Sequence, residues 1–447
     1  MLAPPVIVSR THVSSTRSDR SLCGCVFKSR LQTDRSSHSC VKIVRLTKLQ
    51  TTTMNPALTS ICLLVIAQLT RADDVQLLTS ASSGFAQKLY NKLAAVKPAS
   101  AIYSPFSIHS ALSMTSLGAR GETATELSTT LGLTALTGNS VHHAYHDLIK
   151  QLNNVTDVKL HTANAVFVNP NIAIEEQFIK DVKTEYLATS SNFDLAAVGG
   201  PEKAINDFVS EKTEGLIKDV LPQGSIDALT AMVLLNTIFF NGTWLEKFDQ
   251  YNTKKSNFQK LGGAKSQVDM MYAERSVNIK RNVQGVDVAE LPFKGGRFSL
   301  YIALPQETEG LATLENFLNS PSYLTELFEG LSRVRVRLSV PKFRIESTFE
   351  LNSALKELGI RKAFDQSSAN FQGISATGNV YISEVIHKAV IEVKETGTVA
   401  AAVTVIGIKT ASIELPPEEE FNADHPFVFF LRDNQSEEIL FQGKYLG

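Results

Sequence analysis

Apolar residues recur at helical spacing in the first part of the chain. Phe85, Leu89 and Leu93 lie four residues apart, a spacing that predicts an amphipathic helix. Residues 105–117 also have a helical pattern, and Ser104 stands where its hydroxyl would cap the first turn. The sequence therefore predicts helices early in the chain.

Strand patterns dominate the second part. The nearly unbroken apolar run at 231–240 predicts a strand buried on both faces, and we expect the pair Asn241-Gly242 to form a turn after it. Residues 333–338 alternate arginine with apolar side chains, which predicts a strand with one exposed face. Further strands are predicted at 380–382, 389–393 and 427–431. This order of elements favours an α+β fold built as one unit.

Residues 54–72 have the pattern of a secretory signal. An apolar run at 61–69 is followed by the small residue Ala72, after which we expect cleavage. The run is too short to span a bilayer, and no later stretch is apolar enough to anchor the chain in a membrane. The sequence therefore predicts a secreted, extracellular protein whose mature domain comprises residues 73–447.

Residues 1–53 differ from the rest in composition, with nine basic and two acidic residues. Because a signal must lead the chain, we expect Met54 to be the working start and residues 1–53 to be an upstream extension absent from the mature protein. A transit-like leader is the alternative. The cysteines are Cys23, Cys25, Cys40 and Cys62. All of them precede residue 63, so the mature domain would hold neither a thiol nor a disulfide.

Charge and motifs exclude several classes of function. The chain has 44 Lys and Arg against 45 Asp and Glu, which excludes a nucleic-acid partner held by overall charge. It contains no G-x-S-x-G elbow, no H-E-x-x-H motif and no glycine-rich phosphate loop. His142, His143 and His146 share a predicted helix, which we interpret as a solvated face rather than a metal site. The sequence thus predicts no enzyme, no cofactor and no metal.

Five stretches resemble the serpin family of serine protease inhibitors and follow one another in the family's order. They are YSPFSIHSALSMTSLGARGETATEL (103–127), LLNTIFFNGTW (234–244), LSVPKF (338–343), HKAVIEVKETGTVAAA (387–402) and HPFVFF (425–430). From about residue 78 onward the chain is identified as a member of this family and is similar to its secreted, inhibitory arthropod type. The resemblance implies a monomer with helices packed on a large central mixed sheet, smaller sheets and an exposed reactive-centre loop at about 397–420.

Four polar residues lie inside apolar segments and need hydrogen-bond partners if they are buried. They are Ser104, Ser107, Asn236 and His387. The resemblance implies that they meet beneath the central sheet where it opens, and four independently satisfied residues are the alternative. The resemblance also implies that Glu395 and Lys342 pair at the top of this opening, where Trp244 packs.

The run 399–408 is uncharged and β-prone, which makes it an aggregation hazard if exposed. We interpret it as a strand waiting to be inserted, with an ordinary strand as the alternative. The predicted hinge consists of Glu395, Gly397, Thr398, Ala400, Ala401 and Ala402. Gly397 tolerates unusual backbone angles. Alternate residues from Thr398 onward share one uncharged face, as entry into a sheet requires.

The resemblance implies suicide-substrate inhibition. A serine protease attacks the loop and forms an acyl-enzyme, and the cleaved loop then inserts into the central sheet before deacylation. The family's spacing from the hinge glycine places the cut between Ala411 and Ser412, and a small residue there suits an elastase-like protease. Cleavage after Lys409 is the alternative and would imply a trypsin-like target.

A non-inhibitory serpin acting as carrier, storage protein or chaperone is the second hypothesis. Thr396 and Val399 replace acids that are common in inhibitors, whereas the run of three alanines after Val399 favours inhibition. The helix that binds heparin in the family carries only Lys150 nearby, so we expect no heparin activation. Sequons at Asn154, Asn241 and Asn434 predict glycosylation if the chain is secreted, and Asn154 is expected to be the most accessible.

Overall fold

The computed structural model describes residues 56–96, 99–376, 380–398 and 419–447. The chain divides into two compact units, 1–65 and 66–447. The described part of the first unit, residues 56–65, is helical. The second unit holds the sheets and the site described below.

The described residues form nine α-helices and fifteen strands. The helices are α1 (Pro56–Val96), α2 (Pro105–Ser116), α3 (Gly121–Thr130), α4 (Ser140–Asn153), α5 (Glu176–Tyr186), α6 (Pro201–Lys212), α7 (Leu311–Phe317), α8 (Pro321–Phe328) and α9 (Asn352–Leu358). The strands are β1 (Ala101–Tyr103), β2 (Val158–Val168), β3 (Thr189–Asn192), β4 (Met232–Thr243), β5 (Lys254–Gln259), β6 (Lys265–Lys280), β7 (Val286–Pro292), β8 (Phe298–Pro305), β9 (Ser332–Pro341), β10 (Phe343–Glu350), β11 (Glu384–Val393), β12 (Gly397–Thr398), β13 (Glu419–Asn422), β14 (Phe427–Asp433) and β15 (Ile439–Tyr445).

Both helices predicted early in the chain are present. In α1, the residues Phe85, Leu89 and Leu93 are all buried, as the four-residue spacing predicts. Helix α2 begins after Ser104, whose hydroxyl oxygen accepts a hydrogen bond from the backbone N–H of Ser107 at 3.1 Å. This cap satisfies one of the amides that a helix start leaves without a partner.

Two sheets form the rest of the fold. The smaller, six-stranded sheet is mixed and has the order β10-β11-β4-β2-β3, with β12 paired to β4. The nine-stranded sheet has the order β1-β15-β14-β8-β7-β6-β9-β13, with β5 paired to β6. Helix α6 covers one face of the six-stranded sheet, where Val209 packs in a buried cluster with Leu235 of β4 and Val390 of β11. The predicted α+β architecture with a mixed sheet is therefore confirmed.

Strand β4 is buried on both faces, as predicted, but the turn expected at its end is wrong. The strand continues through Asn241 and Gly242 to Thr243. A Cβ atom on Gly242 would lie 2.7 Å from the ring of Phe240 and 2.8 Å from that of Phe293, so packing rather than chain reversal requires glycine here.

The strand predicted at 380–382 is also wrong, because these residues form no ladder. Instead, the amide of Ile382 donates to the carbonyl of Ala363 at 2.8 Å, and Ser383 donates to Met232 at 2.8 Å. Residues 389–393 lie in β11, and residues 427–431 lie in β14. Strand β9 contains the alternating arginines, with Arg333 and Arg337 exposed and Val336 buried between them.

Candidate functional site

The polar residues singled out in the sequence meet at the contact between β4 and β11. Asn236 and His387 are direct neighbours in the parallel register of these strands. The Nδ1–H of His387 donates to Oδ1 of Asn236 at 2.6 Å. The side-chain amide of Asn236 donates to the carbonyl and the hydroxyl of Ser107, and its bond to the carbonyl is 2.8 Å long. The ring of His387 also accepts from the Ser104 amide at its Nε2, at 3.0 Å.

These bonds fix the chemical state of His387. The ring is fully buried and donates at Nδ1 while accepting at Nε2, which is the pattern of a neutral imidazole. Burial lowers the pKa of His387 to about 3, although the hydrogen bond with Asn236 opposes the shift. The ring is therefore uncharged at neutral pH.

Sequence reasoning missed one member of this cluster. Asn164 of β2 accepts a hydrogen bond from the Asn236 amide at 2.6 Å. It lies opposite Asn236 in the antiparallel register of β2 and β4. A polar residue between alanines in a strand buried in the sheet was the available signal. The cluster thus ties three adjacent strands, β2, β4 and β11, to the start of α2.

A second set of contacts lies at the far end of the same strands. Glu395 forms a salt bridge with Lys342 at 3.1 Å and accepts a hydrogen bond from the Thr253 hydroxyl at 2.9 Å. Burial alone would raise the pKa of Glu395, but hydrogen bonds from its own amide, Thr253 and Lys342 outweigh it, so the pKa lies below its usual value. The structure brings together the predicted pair.

Trp244 is buried at this end and stacks on Phe293, with ring centres 4.4 Å apart. Its indole N–H donates to the carbonyl of Lys394 at 2.8 Å, and its amide donates to the carbonyl of Thr396 at 3.0 Å. The amide of Phe248 donates to the backbone carbonyl of Glu395 at 2.9 Å. Residues 244–248 therefore hold the start of the predicted hinge by main-chain bonds.

The first hinge residues already lie in the sheet. Gly397 and Thr398 form β12, which pairs antiparallel with β4 at Thr243 and Gly242. The hydroxyl oxygen of Thr398 accepts from the Gly242 amide at 2.8 Å, and the side chain is fully buried. Gly397 has φ +134°, and a Cβ atom there would lie 2.1 Å from the Gly242 carbonyl oxygen. Glycine is therefore required at this position by both backbone and contact.

The remaining predicted loop residues lie outside the described residues. They are Ala400, Ala401, Ala402, Lys409, Ala411 and Ser412. The cleaved bond and the alanine part of the hinge consequently stay predictions.

The structure separates the three sequons. Asn154 is exposed at the end of α4, whereas Asn241 lies within β4. The side-chain nitrogen of Asn434, which glycosylation would modify, donates to Ser299 at 2.9 Å and to Glu290 at 3.1 Å. Of the three, Asn154 alone is both exposed and outside a strand, as attachment of a glycan requires.

The predicted solvated histidine face on α4 needs a correction. His142 is buried and hydrogen-bonded to the Tyr186 hydroxyl at 2.7 Å, His143 is exposed, and the half-buried His146 donates to the carbonyl of Thr184 at 2.8 Å. Burial lowers the pKa of His142 to about 4. Within the described residues, no group of three or more His, Cys, Asp or Glu side chains is arranged to hold a metal ion. None of the described helices is long and apolar enough to cross a membrane.

Comparison with known proteins gives the fold and the site a family. The model of the serpin family, described as serine protease inhibitor, matches residues 80–447. A leukocyte elastase inhibitor of Xenopus tropicalis is 36% identical over 377 residues, which cover 82% of this chain and 98% of that protein. The chain belongs to the serpin family.

Solved serpin structures superpose on this chain. Serpin48 of the insect Tenebrio molitor has a TM-score of 0.75 and 32% identity, covering 83% of this chain and 98% of its own. Human thyroxine-binding globulin, solved with thyroxine bound, has a TM-score of 0.77 and 28% identity, covering 84% and 99%. The family is one of serine protease inhibitors rather than enzymes, and its members include both a leukocyte elastase inhibitor and a thyroxine-binding globulin.

Proposed function

We propose that this serpin traps a serine protease by inserting its cleaved loop between β4 and β11. The observation that carries the proposal is the position of β12, which has entered beside β4 at one end while the rest of the β4–β11 contact is closed. The loop that follows Thr398 would extend this pairing residue by residue toward Asn236.

The spacing between paired strands shows which contacts between β4 and β11 a newly inserted strand would break. Paired strands lie about 4.8 Å apart, so a strand placed between β4 and β11 separates them to about twice that distance. The 2.6 Å bond between His387 and Asn236 crosses this contact and cannot survive the separation. Insertion would therefore exchange one side-chain bond and a parallel ladder for two new ladders.

The proposed target is an elastase-like protease cleaving after Ala411. The small side chain at that position and the 36% identity to a leukocyte elastase inhibitor support it. A trypsin-like target cleaving after Lys409 is the competing assignment. Thyroxine-binding globulin among the structural neighbours leaves a carrier role as the second candidate function.

One experiment separates these candidates. The mature protein is incubated with elastase and, separately, with trypsin, and the products are run on a denaturing gel and weighed by mass spectrometry. We expect a covalent complex with elastase and a released fragment that begins at Ser412. A fragment beginning at Thr410 would assign the cut to Lys409. No complex with either protease would favour the carrier role.

A substitution at the proposed cut sharpens this test. Because the residue before the cut fills the protease's primary pocket, Ala411→Arg should shift complex formation from elastase to trypsin-like enzymes. Rates of complex formation with both proteases measure the shift. The matched control is Ser412→Ala, which leaves the pocket residue unchanged and should keep elastase as the target. Unchanged preference in the Ala411 variant would contradict the assignment.

We further propose that the mature protein is a secreted monomer beginning near Asp73 and glycosylated at Asn154. The apolar run before Ala72 and the exposure of Asn154 support this proposal. N-terminal sequencing of material from the medium should begin at Asp73, and removal of N-linked glycans should lower its mass unless Asn154 is replaced by Gln. Secreted material that retains residues 1–53 would contradict it.

A further inference from the structure

A small cavity of about 40 Å³ lies beside Trp244, between the residues that follow β4 and the strands β6, β7 and β9. It has apolar walls, with Val277 and Leu291 among its lining residues, and two arginines, Arg275 and Arg333. A cavity needs roughly 10–15 Å³ to hold one water, so this one accepts a group of a few atoms.

Arg275 has an incomplete set of partners. Its guanidinium lies 4.1 Å from the centre of the Phe248 ring, and its Nη1 donates to the Glu246 carbonyl. Its Nε is buried and has no hydrogen-bond partner in the described part of the chain. A guanidinium carries five N–H donors, so Arg275 and the neighbouring Arg333 can offer charge-assisted hydrogen bonds to an anion in the cavity.

The charged residues that line the cavity also favour an anion. Glu246 is the one carboxylate among its lining residues, against two guanidinium groups. Its carboxylate lies 3.7 Å from Arg333, and the side chains of both are at least half exposed. This loose pair leaves a net positive charge beside apolar walls, where an anion is attracted more strongly than in water.

We propose that this cavity binds a small monocarboxylate between Arg275 and Arg333. A carboxylate fits better than a spherical ion, because its two oxygens match the planar fork of a guanidinium. The cavity volume limits the ligand to about the size of formate or acetate. This inference concerns binding alone and does not rest on the proposed function.

A ligand bound in the cavity would also affect the hinge. Trp244 lines the cavity, and the Phe248 ring stacks on Arg275. The amides of the same two residues donate to the carbonyls of Thr396 and Glu395. A ligand that binds this arrangement of residues 244–248 stabilises the hinge position that depends on it.

The test uses Trp244, the only tryptophan of the chain, as the reporter. Acetate is titrated into the intact protein while tryptophan emission and the line width of the acetate methyl proton signal are followed. We expect a saturable change in the millimolar range. Acetamide, which has the same shape without the charge, should give none. An equal response to sodium chloride, or no saturable response in both measurements, would overturn the proposal.

Variants locate the site. Arg333→Gln removes one exposed guanidinium and should weaken acetate binding about tenfold, the effect of losing one charge-assisted hydrogen bond. Arg344→Gln on β10 is the matched control, and its affinity should equal that of wild type. Arg275→Lys keeps the charge but loses the fork and should also weaken binding. Unchanged affinity in the Arg333 variant would contradict the assignment.

Discussion

The two ends of the contact between β4 and β11 are held in different ways. From Glu384 to Val390, β11 pairs directly with β4, and the buried Asn236–His387 bond crosses this part. At the other end, β12 pairs with β4 through Gly397 and Thr398, and the Lys342–Glu395 salt bridge above it is partly exposed. The sheet is thus closed by buried groups at one end and by the hinge itself at the other.

Contacts on the opposite face of the sheet also hold the closed part of β11 in place. The ammonium group of Lys388, next to His387 in β11, donates to the carbonyl of Lys218 at 2.7 Å and pairs with Glu346 at 2.9 Å. Lys218 belongs to the segment after α6, whose apolar residues pack across β4 and β11. Changes in the closed part should therefore alter the stability of the whole fold, whereas changes at the hinge should alter the fate of the loop.

The largest effect on stability is expected in the buried polar cluster. His387→Ala removes the partner of the Asn236 Oδ1 and of the Ser104 amide and creates a cavity, which should cost about 3 kcal/mol or more of unfolding free energy. A lowered thermal unfolding midpoint measures the loss. The matched control is His143→Ala on the exposed side of α4, which should change stability by about 0.5 kcal/mol or less. Equal effects of both changes would contradict the comparison.

Acid should lower the stability of the fold through its buried neutral histidines. Burial lowers the pKa of His387 to about 3 and that of His109 to about 4. Each neutral ring therefore contributes stability that is complete above the unfolded pKa of about 6.5 and is lost as pH falls toward the folded pKa. At pH 5 each of the two histidines should therefore lower the free energy of unfolding by about 2 kcal/mol relative to pH 7. Thermal midpoints at pH 7 and pH 5 measure the loss.

Glu438 acts in the opposite direction and makes this test specific. The carboxyl is buried, accepts from the Ser82 hydroxyl at 2.6 Å, and has its pKa raised to about 8 by burial. Its contribution is complete below the unfolded pKa and is lost as pH rises through about 8, so it grows as pH falls from 7 to 5. Glu438→Gln should therefore steepen the acid loss, and a shallower loss would refute these assignments.

A smaller effect on stability, with a larger effect on the loop, is expected at Gly397. A Cβ atom there would collide with the Gly242 carbonyl, so Gly397→Ala should expel β12 from the sheet while the closed part stays intact. We expect a change in the thermal midpoint of only a few degrees and a higher ratio of inhibitor consumed per protease trapped. Gly262→Ala, with φ +75° and open space around it, controls for backbone strain alone.

Much of this architecture could be predicted from patterns of residues. Phe85, Leu89 and Leu93 predicted α1 because burial follows helical spacing, and the polar residues in apolar segments indicated the cluster around Asn236. The turn at Asn241-Gly242 was wrong because glycine also serves close packing, which no local pattern reveals.

The hinge position was beyond local patterns as well. The pairing of Thr398 with Gly242 joins residues that are 156 positions apart in the sequence. Such a contact depends on how far β11 and β4 separate, which the fold as a whole decides. Asn164 was missed for a similar reason, because its partner Asn236 comes from another strand.

Trapping by wild type and by Thr398→Arg tests insertion through the hinge most directly. Thr398 is fully buried against β4, so an arginine there would bring an unpaired charge into a dry site at a cost of several kcal/mol. The protease would still cut the loop, but deacylation would precede insertion. With elastase on a denaturing gel, wild type and the control Thr398→Ser should form a stable complex, while Thr398→Arg should be cleaved and release active protease. Trapping by Thr398→Arg with the stoichiometry of wild type would contradict the account.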